Sequence, residues 1–135
     1  MVFDEDPVLQ TDFWMQAHGI TMIFWGNCDL TDDDGKYQGQ FNEWDVYITF
    51  PLKNFGPLSL GGELDYLNFP SSSGMGGAST SEISAWLSGS FIGSPNLQIY
   101  WDVWQYHGIY ANVSFSHSFD LMMGNLSLST ALGWG

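Results

Sequence analysis

The sequence predicts an all-β fold, an antiparallel up-and-down transmembrane β-barrel of about eight strands. Three observations carry this prediction. Polar and apolar residues alternate over segments of about ten residues, turn-forming residues separate these segments, and the chain has almost no positive charge. Such segments are typical of barrel strands that face lipid on one side and a polar interior on the other. We treat residues 1–135 as a single barrel domain.

The alternation is clearest in residues 42–50, 110–118 and 126–135. In each of them, apolar residues occupy most of every second position, and their neighbours are mainly polar or small. No segment has a convincing helical period, and no apolar run approaches the roughly 20 residues of a membrane helix. We predict strands at residues 8–17, 20–29, 42–52, 58–68, 81–92, 96–106, 108–120 and 126–135.

Composition narrows the classes of partner. The chain has 135 residues, with 15 acidic and 2 basic ones, and a formal net charge of -13. This charge excludes a nucleic-acid partner, because nothing in the chain neutralises phosphates, and it favours cations. Aromatic residues make up 17% and charged residues only 13%. Few charges and many aromatic residues are unusual for a water-facing surface and ordinary for a barrel in lipid.

The predicted connections alternate in length, with long ones at residues 30–41 and 69–80. Outer-membrane barrels have short periplasmic turns and longer extracellular loops, so both ends of the chain would lie outside. Complete bacterial barrels keep both ends in the periplasm, and residues 1–6 lack the basic start and apolar core of a signal peptide. We therefore expect that at least one strand is missing at each end. The alternative is an eight-stranded barrel that closes on its own with inverted topology.

Several stretches resemble a family of bacterial outer-membrane porins of the TorF type. They are residues 24–50, 58–70, 97–103, 108–121 and 126–135, which together cover most of the chain. The run His-Ser-Phe-Asp-Leu, followed by a short turn and Leu-Ser-Leu, is especially similar. The resemblance implies a signal peptide, further strands at both ends and location in the bacterial outer membrane. The family has no catalytic motif that could be transferred to this chain, and the resemblance does not identify a transported substrate.

The apolar face of the predicted strands would point toward lipid. Three tryptophans on this face lie near predicted strand ends, where an amphipathic ring suits the membrane interface. These predicted interfacial aromatics are Trp44, Trp101 and Trp134. The alternative is that they belong to the core of a soluble sandwich.

The polar face carries seven carboxylates that would point into the lumen, mostly in its outer half. They are Asp12, Glu43, Asp45, Glu63, Asp65, Glu82 and Asp102. The two basic residues, Lys36 and Lys53, both fall in predicted connections. Buried unpaired carboxylates are costly, so the lumen is wet, the carboxylates share protons, or cations bind there. The alternative is that hydroxyl and amide donors bond to each carboxylate inside a filled, narrow barrel.

Metal and catalytic motifs are weak. Asp32, Asp33 and Asp34 resemble the start of a calcium loop but lack the rest of the pattern. They are the candidates for Ca²⁺ or Mg²⁺, which carboxylate oxygens favour; no other cofactor is expected. The three histidines lie far apart in the sequence, Cys28 has no basic neighbour, and no nucleophile elbow occurs. We therefore expect no enzyme.

The sequence thus predicts a porin-like barrel that allows passive, cation-favouring diffusion of small solutes, or a structural barrel if its lumen is filled. The expected partners are outer-membrane lipid, small cations or other small solutes, and a further copy in a homo-oligomer. The alternative is a soluble secreted β-sandwich or barrel that binds a carbohydrate or a hydrophobic ligand through its aromatic residues.

Overall fold

The computed structural model describes residues 7–30, 39, 41–70, 78–121 and 124–135. They form one sheet of eight strands, which pair in sequence order, each antiparallel to the next. The sheet curls into a half-barrel, and the predicted antiparallel up-and-down β fold is confirmed. The strands are β1 Val8–Ala17, β2 Ile20–Asp29, β3 Phe41–Phe55, β4 Leu58–Phe69, β5 Ala78–Gly89, β6 Asn96–Asp102, β7 Ile109–Leu121 and β8 Gly124–Trp134.

The described residues contain no helix long and apolar enough to cross a bilayer.

Strands β1 and β8 are the two edge strands of the sheet, and they do not pair with each other within the described residues. Both strands therefore present one edge without a ladder partner in this part of the chain. Because neighbouring strands alternate in direction, β1 and β8 run in opposite directions.

Tight turns lie at one end of the sheet, which we call the short-turn end. His18 and Gly19 both have positive φ angles, of 53° and 83°, which matches the twist of a two-residue hairpin. Gly56, with φ of 62°, precedes Pro57 in the turn between β3 and β4. The connections between β2 and β3, β4 and β5, and β6 and β7 lie at the opposite end, which we call the long-loop end.

Strands β1 and β2 have the predicted bounds, but β3 is longer than predicted. Lys53, Asn54 and Phe55 continue the ladder by pairing with β4, so placing Lys53 in a connection was wrong. The physical reason is the tightness of the turn at Gly56, which lets pairing continue to the residue before it. Lys36 lies outside the described residues.

The predicted ends of β5 and β6 were also wrong. Strand β5 ends at Gly89, because residues 90–95 form a turn in which Ser94 and Gly93 have positive φ angles. Strand β6 ends at Asp102 rather than at residue 106. The side chain of Asp102 bonds to the backbone that follows it, and this competes with the ladder.

The two faces of the sheet differ sharply in polarity. Residues opposite each other in register share a face, and neighbours along a strand alternate. In β6, Leu97, Ile99 and Trp101 are exposed, whereas the polar residues between them are covered. We call the apolar side the outer face and the polar side the inner face. A single sheet can bury side chains on one side only where that side is concave, so the inner face is the concave one.

Two adjacent glycines let aromatic rings lie flat against the sheet. A Cβ atom on Gly61 would collide with the Trp86 ring on the inner face, and one on Gly62 would come within 2.9 Å of the Phe50 ring on the outer face. Trp86 therefore covers part of the inner wall.

Candidate functional site

The seven predicted carboxylates all lie on the inner face, on five of the strands, β1 and β3 to β6. Register places Asp65 opposite Tyr47, Glu82 opposite Asp65, and Asp102 opposite Glu82. Asp12 and Asp45 both lie opposite Trp25. We call these seven residues the carboxylate cluster, and most of its members lie in the half of their strands nearer the long-loop end.

One row of the cluster brings like charges close together. Asp65, Glu82 and Asp102 occupy directly opposed positions on β4, β5 and β6. Neighbouring strands are about 4.8 Å apart, so these carboxylates repel one another unless protons, water or cations reduce the charge.

Neutral side-chain donors bond to Glu63 and Glu82, two members of the cluster. Glu63 accepts one hydrogen bond from Thr49 at 2.7 Å and another from Gln98 at 3.1 Å. Gln98 also donates to Ser84 at 2.9 Å. Glu82 accepts a hydrogen bond from the Tyr110 hydroxyl at 2.6 Å. These contacts hold the carboxylates in place without neutralising them, since every donor is uncharged.

Asp102 has a structural role at the end of β6. Its Oδ1 accepts hydrogen bonds from the backbone N–H groups of Trp104, Gln105 and Tyr106, at 3.0 to 3.1 Å. Its Oδ2 accepts one from Thr80 at 2.6 Å. The side chain is 4% exposed. A carboxylate with four donors organises the loop that follows it.

Asp45 and Asp65, unlike Asp102, are buried without a full set of hydrogen-bond donors. They are 2% and 5% exposed, and in each of them the Oδ1 atom is buried with no hydrogen-bond partner among the described residues. Asp45 Oδ2 accepts a hydrogen bond from Tyr47 at 2.7 Å. Buried acceptors without a protein donor are uncommon, so these two oxygens are available to water, a proton or a cation.

The predicted interfacial tryptophans share one face and one end of the sheet. Trp44, Trp101 and Trp134 lie on the outer face, near the long-loop end of β3, β6 and β8. The ring centroids of Trp44 and Phe24 are 6.1 Å apart, and those of Trp44 and Tyr66 are 5.5 Å apart. An aromatic band therefore follows this rim.

Lys53 lies on the outer face at the other end of the sheet. It pairs with Leu60 near the short turn, and its Nζ atom lies 5.0 Å from the centroid of the Phe55 ring. A long side chain near a strand end can extend its charge past the edge of the apolar face.

The predicted metal candidates Asp32, Asp33 and Asp34 lie outside the described residues. Elsewhere in the part of the chain that the structure describes, no group of three His, Cys, Asp or Glu side chains is arranged to hold a metal ion. Cys28 is a free thiol on β2.

Hydroxyl and amide donors to the carboxylates were expected only as an alternative, and the residues that supply them were not identified from the sequence. These are Tyr47, Thr49, Thr80, Gln98 and Tyr110. All of them lie on the inner face, in phase with the carboxylates, so the same alternation could have identified them as lining residues. Their individual partners depend on strand register.

No protein-family model, curated protein or solved structure matches this chain.

Proposed function

We propose that this chain is a porin-like barrel protein of the bacterial outer membrane, which allows passive, cation-favouring diffusion of small solutes. The observation that carries the proposal is the distribution of side chains over the sheet, which buries polar residues on one face and exposes apolar residues on the other. Asp45 is 2% exposed on the concave face, whereas Leu132 is 67% exposed on the convex face. Water favours the opposite distribution, and lipid outside a polar lumen favours this one.

The outer face supports the lipid environment. Leucine, isoleucine, phenylalanine and tryptophan side chains are exposed on it from β1 to β8, far beyond the isolated apolar residues of a soluble surface. The described strands form a single sheet, and its outer face includes Trp44, Ile48, Ile99 and Val113. Exposed examples are Phe13, Ile20, Leu64, Ile83, Ile99, Trp101, Phe115, Leu128 and Leu132.

Strand length suits the thickness of a membrane. Strand β1 has 10 residues and β7 has 13. Ten residues extend over about 33 Å, and a tilt of about 40° reduces their height to about 25 Å, the height of the apolar band of an outer-membrane barrel.

A barrel in lipid leaves no strand edge unpaired, so both β1 and β8 must pair there. Because they run in opposite directions, an antiparallel seam between them has the correct polarity, and pairing with a second copy or with further strands of a longer chain would also satisfy both edges. The concave face then encloses the lumen.

The inner face supports cation preference. Its seven carboxylates have no basic residue beside them on the described inner face, because Lys53 points outward. Rings of acidic side chains favour cations in channels.

Neutralising two of these carboxylates should reduce the cation preference. In a planar bilayer with a KCl gradient, the double variant Asp45→Asn with Glu63→Gln should lower the K⁺/Cl⁻ permeability ratio by roughly threefold or more. The wild-type ratio should also fall as the pH is lowered from 7 toward about 4, where carboxyl groups ordinarily take up protons. The reversal potential measures both effects.

The control is Thr49→Val, which removes a hydrogen bond to Glu63 but no charge. It should keep the wild-type permeability ratio. Anion selectivity in the wild type, or an unchanged ratio in the double variant, would contradict the role of these carboxylates. A folded chain that stays monodisperse in water without detergent would contradict the membrane location.

A further inference from the structure

A recess of about 370 Å³ opens on the inner face across β1 to β4. Three carboxylates line it, those of Asp12, Glu43 and Asp45, together with the rings of Trp25 and Tyr47. Two aliphatic side chains complete its wall. The recess thus combines negative charge with a wall that is largely apolar.

The register places an indole between two carboxylates. Trp25 lies directly opposite Asp12 on one side and directly opposite Asp45 on the other. A cation above an aromatic face is attracted by the electrons of the ring, and flanking carboxylates strengthen this attraction. Both features therefore favour a ligand that is positively charged.

Unpartnered atoms at this end of the sheet are a second, independent sign of a ligand. Three buried side-chain polar atoms lack a hydrogen-bond partner among the described residues, the Oδ1 atoms of Asn27, Asp45 and Asp65. All three are acceptors. Only Asp45 among them lines the recess, and Asn27 lies opposite Glu43, another lining residue. Asp45 Oδ1 is thus an acceptor at the wall of the recess without a donor among the described residues, and a protonated amine would supply that donor.

The apolar wall favours an organic cation over an inorganic one. A hydrated divalent ion prefers a shell of oxygen ligands, and the described acidic residues form no three-ligand group. An alkylammonium ion can place its N–H groups against carboxylates and its methylene groups against Trp25 and Leu67.

We propose that this recess is a binding site for protonated alkylamines, which names a class of solute for the proposed pore and depends on that function for its physiological role. Carboxylates on both sides of Trp25 suit a ligand with an ammonium group at each end.

The probe is 1,4-diaminobutane, titrated into the detergent-folded full chain by isothermal titration calorimetry. We expect saturable binding that 1,4-butanediol, the neutral analogue, does not reproduce. Asp12→Asn and Glu43→Gln should each weaken binding by roughly fivefold or more, and Trp25→Leu should weaken it by about fivefold. Asp12 is exposed, so its variant should fold normally.

The matched control is Glu82→Gln, which removes the same charge from the inner face outside the recess. It should change the affinity by less than about twofold. Equal weakening in Glu82→Gln would contradict a localised site and indicate diffuse attraction. Equal binding of the diol, or tighter binding of MgCl₂ alone, would contradict the alkylamine assignment.

Different results would contradict the pore and the amine site. A cation-selective conductance without saturable diamine binding would contradict the amine site but not the pore. Saturable, recess-dependent diamine binding by a chain that carries no current would overturn the pore and leave the site.

Discussion

Replacing Ile99 by lysine should destabilise the lipid-inserted fold by about 2 to 4 kcal/mol, the cost of a basic residue in the middle of the lipid face of a barrel. Ile99 lies at the centre of β6 on the outer face, is 48% exposed, and stands opposite Ala85 and Ala111. No acidic side chain of the described strands shares that face beside it, so in the proposed membrane location the new charge would meet only hydrocarbon. Urea unfolding in lipid vesicles measures the change in the free energy of unfolding.

The adjacent residue provides a matched control. Gln98 lies on the inner face, 3.1 Å from a carboxylate oxygen of Glu63. Gln98→Lys would place its charge beside that carboxylate, and we expect the free energy of unfolding to change by less than about 1 kcal/mol. Equal costs at positions 98 and 99, or a larger cost at position 98, would contradict the assignment of the outer face to lipid.

Asp102→Ala should have the second largest effect on stability. The substitution leaves three backbone N–H groups and the Thr80 hydroxyl without their acceptor at the end of β6. Hydrogen bonds to charged groups contribute about 1.5 to 3 kcal/mol each but are not additive, so we expect a total loss of about 2 to 3 kcal/mol. The same urea titration measures it, and limited proteolysis within residues 103–108 should become faster.

Glu82→Ala is the control for Asp102, because Glu82 accepts one hydrogen bond, from Tyr110 on an exposed surface. Its cost should stay below about 1 kcal/mol. If Asp102→Ala were as mild as Glu82→Ala, the carboxylate would not organise the loop.

The strands were predictable where local sequence alone determines them. The hairpin of β1 and β2 was predicted at its observed bounds, because His18 and Gly19 form a two-residue turn between regular alternations. The beginning of β5 was missed, since Ala78 and Ser79 are small and carry no apolar period. Strand β6 was predicted too long because residues 103–106 continue the apolar pattern, whereas a side-chain contact ends the strand.

The candidate site was predictable as a face and not as a set of contacts. Period two places Glu63 and Asp45 on the inner face without knowledge of their neighbours. The contact from Gln98 to Glu63 joins residues 35 positions apart and crosses β5, so it depends on two registers at once. The recess beside Trp25 likewise needs the pairing of β1, β2 and β3, which no local pattern specifies.

The central claim is that the outer face of the sheet contacts lipid and the inner face contacts water. Spin labels placed singly at positions 97, 98, 99, 100 and 101 of β6, in a Cys28→Ser background and in lipid vesicles, test it most directly. Accessibility to oxygen should exceed accessibility to a water-soluble nickel complex at 97, 99 and 101, and the order should reverse at 98 and 100. Equal accessibility along the strand, or water contact at 97, 99 and 101, would contradict the account.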